Sequence, residues 1–361
     1  MQHVADAAGV HRTTVSMALR NHPSIPENTR RKIATLAGKM GYRPNPLVSA
    51  LMSQLRAQRP VDSHEVIAYV TSHPPSNPWR QHSALVEMFE GAKAKARELG
   101  FGLEEFDRHS RGMNAHRMKE ILLTRGIRSI ILAPLPDGTD DIDLDLSTFA
   151  TVALGVSLRS PALERIANDH FQSFRVVFRE CLRLGYHRIG FIVGHDFSER
   201  LEGRWLGAYL YGQYVLDPKL RLEPLLIKTF ESKARKPIIK AWCLSERPEV
   251  IVSPLGAAQD SWLGELRAMP GSPGVVNLTL PPQPGECAGI LQDAFKLGQI
   301  AVERMVARLQ RNDIGLLSQT QNTMLHGTWV DGASLPGKAP AETAVIKIRE
   351  RRARTAVRTA K

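Results

Sequence analysis

Apolar residues in the first 40 positions recur at helical spacing in three short segments. The pattern predicts helices over residues 2–8 and 12–20, with Gly9 ending the first, and a third that begins after Pro26 and ends at Met40. The predicted inner faces carry small or apolar side chains: Val4, Ala5, Ala8, Val15, Ala18, Leu19, Ile33, Leu36, Ala37 and Met40. Alanines let two helices cross closely, as a helix-turn-helix requires. From the pattern alone, any other small three-helix bundle fits as well.

A second short amphipathic segment, residues 47–52, follows a turn at Asn45-Pro46. A segment of this length is too short to be a stable helix by itself. Its pattern alone therefore indicates a linker with helical tendency. Residues 53–64 then connect this segment to the rest of the chain.

From residue 65 onward, short continuous apolar runs alternate with amphipathic stretches. The runs predict strands over residues 66–70, 101–106, 127–132, 151–154, 188–193, 225–229 and 250–253. The amphipathic stretches predict helices over residues 83–99, 114–125, 171–184, 198–214, 234–243 and 295–311. Continuous apolar strands that alternate with helices favour parallel sheets covered on both faces. The two series, divided near Asn168, predict two α/β lobes, and the last helix is expected to return to the first lobe.

The net charge of +12 is concentrated at the two ends of the chain. Residues 1–60 carry nine Lys or Arg and two Asp or Glu, and residues 338–361 carry eight and two. The 277 residues between them carry 31 basic and 32 acidic side chains. A nearly neutral body with basic ends is typical of a nucleic-acid-binding head joined to a ligand-binding body, because a generally basic protein spreads its charge.

Several classes of protein are excluded or disfavoured by the sequence. No apolar run is long enough to span a bilayer, and no signal segment opens the chain, so a cytoplasmic protein without a membrane partner is expected. The three cysteines are far apart and lack CxxC spacing, which indicates neither a zinc site nor a disulfide framework. The chain contains no P-loop, GxSxG, HExxH or GxGxxG motif. We therefore predict no enzyme, no catalytic residue, no metal and no cofactor.

The first 46 residues contain four strings whose combined order and spacing are very specific: Val4-Ala5-Asp6-Ala7-Ala8-Gly9-Val10, Thr14-Val15-Ser16, Thr29-Arg30 and Gly41-Tyr42-Arg43-Pro44-Asn45-Pro46. In these strings the chain resembles the LacI/GalR family of bacterial transcription regulators. The resemblance implies an α/β fold class with two parts. An all-α helix-turn-helix head comes first, and a two-lobed, doubly wound core similar to periplasmic binding proteins follows it.

The family resemblance assigns three kinds of DNA contact. The second helix lies in the major groove, which makes three residues the expected base readers: Arg12, Thr13 and Met17. Four residues are expected to contact the DNA backbone: Thr14, Ser16, Thr29 and Tyr42. The segment after the head corresponds to a hinge helix that folds over the operator centre, with three residues of interest: Asn45, Val48 and Leu51. Of these, Leu51 is expected to wedge into the minor groove and Val48 to lie at the hinge–hinge contact.

Three departures from the family pattern concern the head. Met17 stands where relatives often have arginine, so the operator is expected to differ from theirs. His11 replaces a serine that usually caps the second helix, which predicts a weaker cap. Met1 begins inside the first helix without the usual lead-in, which favours a true start a few residues upstream.

In the family the effector binds in the cleft between the lobes, and matching positions indicate Asn77 and Arg200 as effector residues. Trp79 is a third candidate, because an indole ring is able to stack on a sugar face. A packing role fits Trp79 at least as well, and a structural ion pair with Glu202 or Asp196 is the alternative for Arg200. The family's acidic pair, which commonly grips sugar hydroxyls, is replaced by Asn277-Leu278-Thr279-Leu280. A small monosaccharide is therefore not expected to be held in the usual way.

The resemblance implies a homodimeric repressor that binds a pseudo-palindromic operator in double-stranded DNA at the nucleoid, under control of a sugar or sugar derivative. The alternative is a sugar-binding sensor of the same core fold with lost or altered DNA binding. The predicted domains are a head at 1–44, a hinge and linker at 45–64, a core at 65–337 and a flexible basic tail at 338–361. Within the core, lobe 1 is expected at about 65–166 and 289–322, and lobe 2 at about 167–288 and 323–337.

Overall fold

The computed structural model describes residues 2–19, 24–40, 65–228, 232–255 and 259–338. The helices are α1 (Gln2–Ala8), α2 (Arg12–Leu19), α3 (Glu27–Lys39), α4 (Ser83–Glu98), α5 (Ala115–Thr124), α6 (His170–Arg183), α7 (His195–Arg200), α8 (Arg204–Val215), α9 (Ser232–Glu246), α10 (Gln259–Arg267) and α11 (Ala294–Arg311). The strands are β1 (Val66–Thr71), β2 (Gly102–Asp107), β3 (Ser129–Leu132), β4 (Ala150–Leu154), β5 (Glu164–Asn168), β6 (Ile189–Gly194), β7 (Leu225–Ile227), β8 (Val250–Ser253), β9 (Gly274–Leu280), β10 (Ala288–Leu291), β11 (Gln321–Leu325) and β12 (Thr328–Val330).

The three helices α1, α2 and α3 form the head around a small apolar core. Its buried members are Val4, Ala5, Val15, Ala18, Ile25, Ile33 and Ala37. Gly9 adopts a φ of 66°, which lets the chain turn sharply between α1 and α2. The predicted inner position of Met40 is wrong, because α3 ends at Lys39 and Met40 is 44% exposed.

The described residues divide into two compact units. The first comprises the chain up to His170 together with His195–Gly203 and Leu291–Thr328. The second comprises Phe171–Gly194, Arg204–Ile290 and the described residues from Trp329 onward. The domain boundaries drawn from the sequence stay predictions.

The first unit contains a six-stranded sheet in the order β11-β5-β4-β3-β1-β2. Its strand pairs are all parallel. Helices α4 and α11 cover one face, with Leu297, Ala301 and Met305 fully buried there. Helix α5 covers the other face through Met118 and Leu122. This is the doubly wound arrangement that the alternating pattern predicted.

The second unit contains another six-stranded sheet, in the order β12-β10-β9-β8-β6-β7. The pairs β6–β7, β6–β8 and β8–β9 are parallel. Each sheet thus places its first strand between the two that follow it along the chain. The return of α11 to the first unit confirms that expectation from the sequence.

Several elements of the core differ from the predicted ones, and no element was predicted for α10 or for β9 to β12. The helix predicted over residues 198–214 is two helices, α7 and α8, because Glu202 and Gly203 adopt positive φ values of 56° and 63° between them. The strand β5 was not predicted, because Glu164 and Arg165 interrupt its apolar character. Both side chains are nevertheless buried, and Glu164 pairs with Arg304 on α11.

Close packing of α4 against α11 depends on two glycines. A Cβ atom on Gly91 would overlap the carbonyl oxygen of Phe295, and one on Gly298 would overlap that of Met88 and lie 2.7 Å from the Ala92 nitrogen. These neighbours are backbone atoms, which cannot move aside as a flexible side chain can. The two helices therefore approach each other through bare backbone.

We expect Gly298→Ala to lower the free energy of unfolding by about 2 kcal/mol or more, because α4 and α11 must separate to admit the methyl group. Gly207→Ala on α8 is the matched control, since no atom lies within 4 Å of a Cβ there. Urea unfolding followed by circular dichroism measures both variants. Equal effects of the two substitutions would contradict the close contact.

Candidate functional site

The outer surface of α2 carries the predicted base readers. Arg12 and Thr13 are exposed in the first turn of the helix, while Val15 and Ala18 on the opposite side are buried in the head core. The amphipathic spacing of α2 therefore leaves its first turn free for a partner. A guanidinium in this position is able to make a bidentate contact with guanine.

His11 caps α2 in place of the serine of the family pattern. Its Nδ1 atom accepts a hydrogen bond from the Thr13 backbone N–H at 3.4 Å and lies 2.8 Å from the Thr13 hydroxyl. Because Nδ1 acts as an acceptor toward the N–H, the hydroxyl also donates to it. The imidazole thus performs the capping role through a long backbone hydrogen bond.

Met17 is only half-buried and packs partly on the head core. Its sulfur accepts a hydrogen bond from the Ser24 hydroxyl at 3.8 Å. Met17 therefore offers a partner an apolar surface and no charged group.

The predicted backbone contacts are only partly visible. Thr14 and Thr29 are half-buried, near the first turns of α2 and α3. Ser16 lies in α2, but its side chain is outside the description. Four further predicted residues lie outside the described residues: Tyr42, Asn45, Val48 and Leu51. All of these assignments stay predictions.

The carboxyl edge of the first sheet contains a topological switch point. The strand order β2-β1-β3 places β2 and β3 on opposite sides of β1, so their connections leave in opposite directions. Open α/β sheets bind ligands in the crevice that forms at such a point. The residues that follow β1, β2 and β3 are therefore the candidates for an effector site in this unit.

A cluster of polar side chains occupies this edge. His73 follows β1, and its ring centroid lies 5.7 Å from that of His82 at the start of α4. His109 follows β2 and donates from Nε2 to the Ser72 carbonyl at 3.2 Å. His82 donates from Nε2 to the Asn77 side-chain oxygen at 3.0 Å. Sequence reasoning missed the three histidines, although their positions just after strands or before a helix were a usable signal.

His73 is the buried member of the cluster. It is 7% exposed, and its Nδ1 atom is buried without a hydrogen-bond partner. Burial lowers the pKa of His73 to about 4, with further lowering by His82, Arg200 and His109 and an opposing effect of Asp137. His73 is therefore uncharged at neutral pH.

Arg200 joins the same edge from the end of α7. Its guanidinium donates to an Asp137 carboxylate oxygen at 2.8 Å and to the Leu135 carbonyl at 2.6 Å. The carboxylate that pairs with it is therefore Asp137, and neither Glu202 nor Asp196 takes that place. The Nε atom of Arg200 is buried without a hydrogen-bond partner.

The other two predicted effector residues lie in different surroundings. Asn77 is exposed beside His82, next to the cluster. Trp79 is only 6% exposed and packs against Tyr69 and Phe89, and its indole N–H donates to Glu105 at 2.6 Å. This placement supports the packing role of Trp79. The effector role of each residue stays a prediction.

The carboxyl end of β9 in the second unit is apolar. Leu278 and Leu280 are buried, and Asn277 is fully buried within the strand. The Asn277 side-chain oxygen accepts from the Leu255 N–H at 3.0 Å and from the Thr279 N–H at 2.8 Å. Asn277 thus serves the local backbone, and this strand end offers no carboxylate for a sugar hydroxyl.

Two negative findings apply to the described ranges. These ranges contain no group of His, Cys, Asp and Glu side chains with the arrangement of a metal site. None of the helices within them combines the length and apolar character needed to cross a bilayer.

The first 45 residues match the family model described as "Bacterial regulatory proteins, lacI family". Over 72 residues, 20% of this chain, the sequence is 38% identical to the "Probable HTH-type transcriptional repressor ExuR" of Bacillus subtilis (strain 168). This match spans only 20% of the relative's own length. The N-terminal domain is therefore a helix-turn-helix domain of the LacI family, as its strings predicted.

Solved structures share the fold over most of the chain at low identity. The superposition on the lac repressor dimer bound to operator and the anti-inducer ONPF spans 92% of this chain and 98% of the repressor chain. The sequence identity is 19% and the TM-score is 0.52. The superposition on a LacI family regulator from Enterococcus faecium with bound ribose spans 76% of this chain and 100% of that regulator's chain, with 14% identity and a TM-score of 0.55. The superposition on the complex of the transcriptional regulator CelR with cellobiose spans 92% of this chain and 98% of the CelR chain, with 17% identity and a TM-score of 0.51. These likenesses confirm the predicted fold class.

We expect acidification to destabilise the protein through His73. Its pKa of about 4 lies below the ordinary value of 6.5, so the unfolded chain binds more protons between these values and stability falls as the pH falls through them. Between about pH 7.5 and about pH 5 the loss is roughly 2 kcal/mol. Urea unfolding of wild type and His73→Gln at both pH values measures it.

The variant is expected to lose less stability on acidification than the wild type. His116→Gln is the matched control, because His116 is an exposed histidine of α5 with a side chain that is 81% exposed. If His73→Gln and the wild type lose the same amount, the burial of an uncharged His73 is refuted.

Proposed function

We propose that this protein is a sequence-specific DNA-binding transcription regulator, a homodimeric repressor of a pseudo-palindromic operator. The observation that carries the proposal is the LacI-family head, in which α2 exposes Arg12 and Thr13 above a packed three-helix core. The concentration of positive charge in residues 1–60 supports a DNA partner. Action on chromosomal DNA places such a regulator in the cytoplasm at the nucleoid.

The proposed control is a small-molecule effector, a sugar or sugar derivative. Two structures of similar fold were solved with cellobiose and with ribose. In this chain, the switch point of the first sheet presents His73, Asn77 and Arg200, which supports an effector site at that edge. Effector binding and operator binding would then be coupled, and the coupling is necessarily reciprocal.

Dimerisation and the hinge complete the proposal. A repressor of similar fold was solved as a dimer on its operator. Two copies reading two half-sites would explain a pseudo-palindromic target. The hinge roles of Asn45, Val48 and Leu51 rest on the family resemblance. A sensor without DNA binding is the weaker alternative, because the head retains both its core and its exposed reading surface.

We expect Arg12→Ala to relax operator sequence preference while salt-sensitive binding persists, because a bidentate guanine contact is lost and phosphate contacts remain. The loss of discrimination at one base pair is about 1–3 kcal/mol. Selection on randomised operators, read by sequencing, measures it. Arg97→Ala on α4 is the control, since it removes an exposed arginine of the body. Unchanged preference in Arg12→Ala would reject the base-reading role.

We expect Leu51→Ala to weaken operator binding and to reduce DNA bending together, because the wedge that unstacks the central base step becomes a methyl group. Fluorescence anisotropy measures the binding, and energy transfer between dyes at the two ends of the operator measures the bend. A variant that binds weakly but bends DNA fully would show that Leu51 is not the wedge.

A further inference from the structure

We propose that the effector is an anionic sugar, with a carboxylate or a phosphate that binds among His73, His82, His109 and Arg200 at the carboxyl edge of the first sheet. The inference rests on the proposed function, because it names the ligand class of that effector site. The two anionic groups share the chemistry that these side chains recognise, and experiment distinguishes them.

An unmet hydrogen bond at His73 points to a ligand. His73 is more than nine-tenths buried, and its Nδ1 atom has no partner in the described part of the chain. A buried polar atom left without a partner costs about 1–3 kcal/mol, so such an atom at a strand end points to a ligand group. The buried Nε of Arg200 adds a second donor without a hydrogen-bond partner at the same edge.

The charged and polar groups that face His73 are mostly basic. Its electrostatic neighbours are His82, His109, Arg200 and Asp137. Only Asp137 is acidic, its side chain is 68% exposed, and it is already paired with Arg200. The N–H groups of His82 and His109 already donate to Asn77 and Ser72, so the cluster offers the guanidinium of Arg200 and the unpartnered nitrogen of His73 against a single carboxylate. This balance suits an anion that shares or replaces Asp137 on the guanidinium.

The neighbouring strand β2 carries two carboxylates, Glu105 and Asp107. Glu105 on β2 is occupied, because it accepts hydrogen bonds from Trp79 and Arg80. Asp107 accepts from the His109 backbone N–H at 2.8 Å. Glu105 is therefore committed to its two donors, and Asp107 is the strand carboxylate that keeps acceptor capacity for a sugar hydroxyl. The cationic and unpartnered groups around His73 and Arg200 then recognise the acidic group of the same ligand.

A proton linkage follows from this assignment. Burial and the charges of His82 and Arg200 hold the pKa of His73 at about 4, and a bound anion raises that pKa. Binding then takes up a proton, so affinity rises as the pH falls from about 7.5 and levels off below about 4. Neutral sugars lack this effect because they leave the pKa of His73 nearly unchanged.

Isothermal titration calorimetry of the full chain tests the assignment with matched probes. Galactose, galacturonate and galactose 6-phosphate form one series, and glucose, glucuronate and glucose 6-phosphate form the other. We expect an acidic member to bind at least about tenfold more tightly than its neutral parent. A preference within the acidic pair identifies the carboxylate or the phosphate. Affinity for the carboxylate probes, which stay ionised, is expected to rise between about pH 7.5 and about pH 5.5.

Variants connect the preference to the cluster. His73→Gln and the exposed His82→Gln are each expected to weaken binding of the acidic probe by about tenfold, and His73→Gln is also expected to flatten the pH dependence of that binding. His116→Gln, on α5, is expected to leave both unchanged. Circular dichroism verifies folding, and His82→Gln keeps the test valid if His73→Gln does not fold.

The inference is overturned if neutral sugars bind as tightly as their acids, if no acidic probe binds, or if both cluster variants behave like His116→Gln. Operator binding, measured separately by anisotropy, decides the proposed function. If the protein binds operator and neutral galactose releases it, the proposed function stands and the anionic effector class is refuted. A protein that binds acidic sugars but no operator keeps the anionic site and loses the proposed function.

Discussion

The first unit depends on the backbone contact between α4 and α11. These helices come from residues 83–98 and 294–311, so nearly two hundred residues separate them along the chain. Gly91 and Gly298 allow the contact, since any side chain there would meet a carbonyl group. Helix α11 packs against β3, β4 and β5, so this face of the sheet is covered by a segment that follows most of the second unit in the sequence.

Local periodicity made most of this architecture predictable. The head helices and the strands β1, β3, β4, β6 and β8 have strong apolar patterns, and the structure has them close to their expected bounds. The strand β5 was missed because tertiary contacts satisfy its charged residues. Glu164 pairs with Arg304 on α11, and Arg165 pairs with Glu202 and donates to the carbonyl of Arg159. A pattern based on hydropathy alone has no access to such partners.

The candidate site was less predictable for the same reason. Arg200 lies 63 residues from Asp137, and the two meet only because α7 ends at a pair of left-handed residues, Glu202 and Gly203. The family resemblance indicated Arg200 and Asn77 but carried no information on His73, His82 or His109. Their grouping arises from the strand order around β1, which the sequence predicted only as a parallel sheet of unspecified order.

The imidazole cap of α2 has a consequence for how this protein recognises a base. The Thr13 hydroxyl already donates to His11, so toward a base Thr13 is left with an acceptor oxygen and a methyl group. Met17 likewise presents a thioether without a charge. Of the three predicted base readers, Arg12 alone therefore has hydrogen-bond donors to offer, whereas Thr13 suits a base amino group or a thymine methyl and Met17 suits apolar contact. Such a surface would distinguish bases by one donor group, one acceptor oxygen and the fit of two apolar side chains.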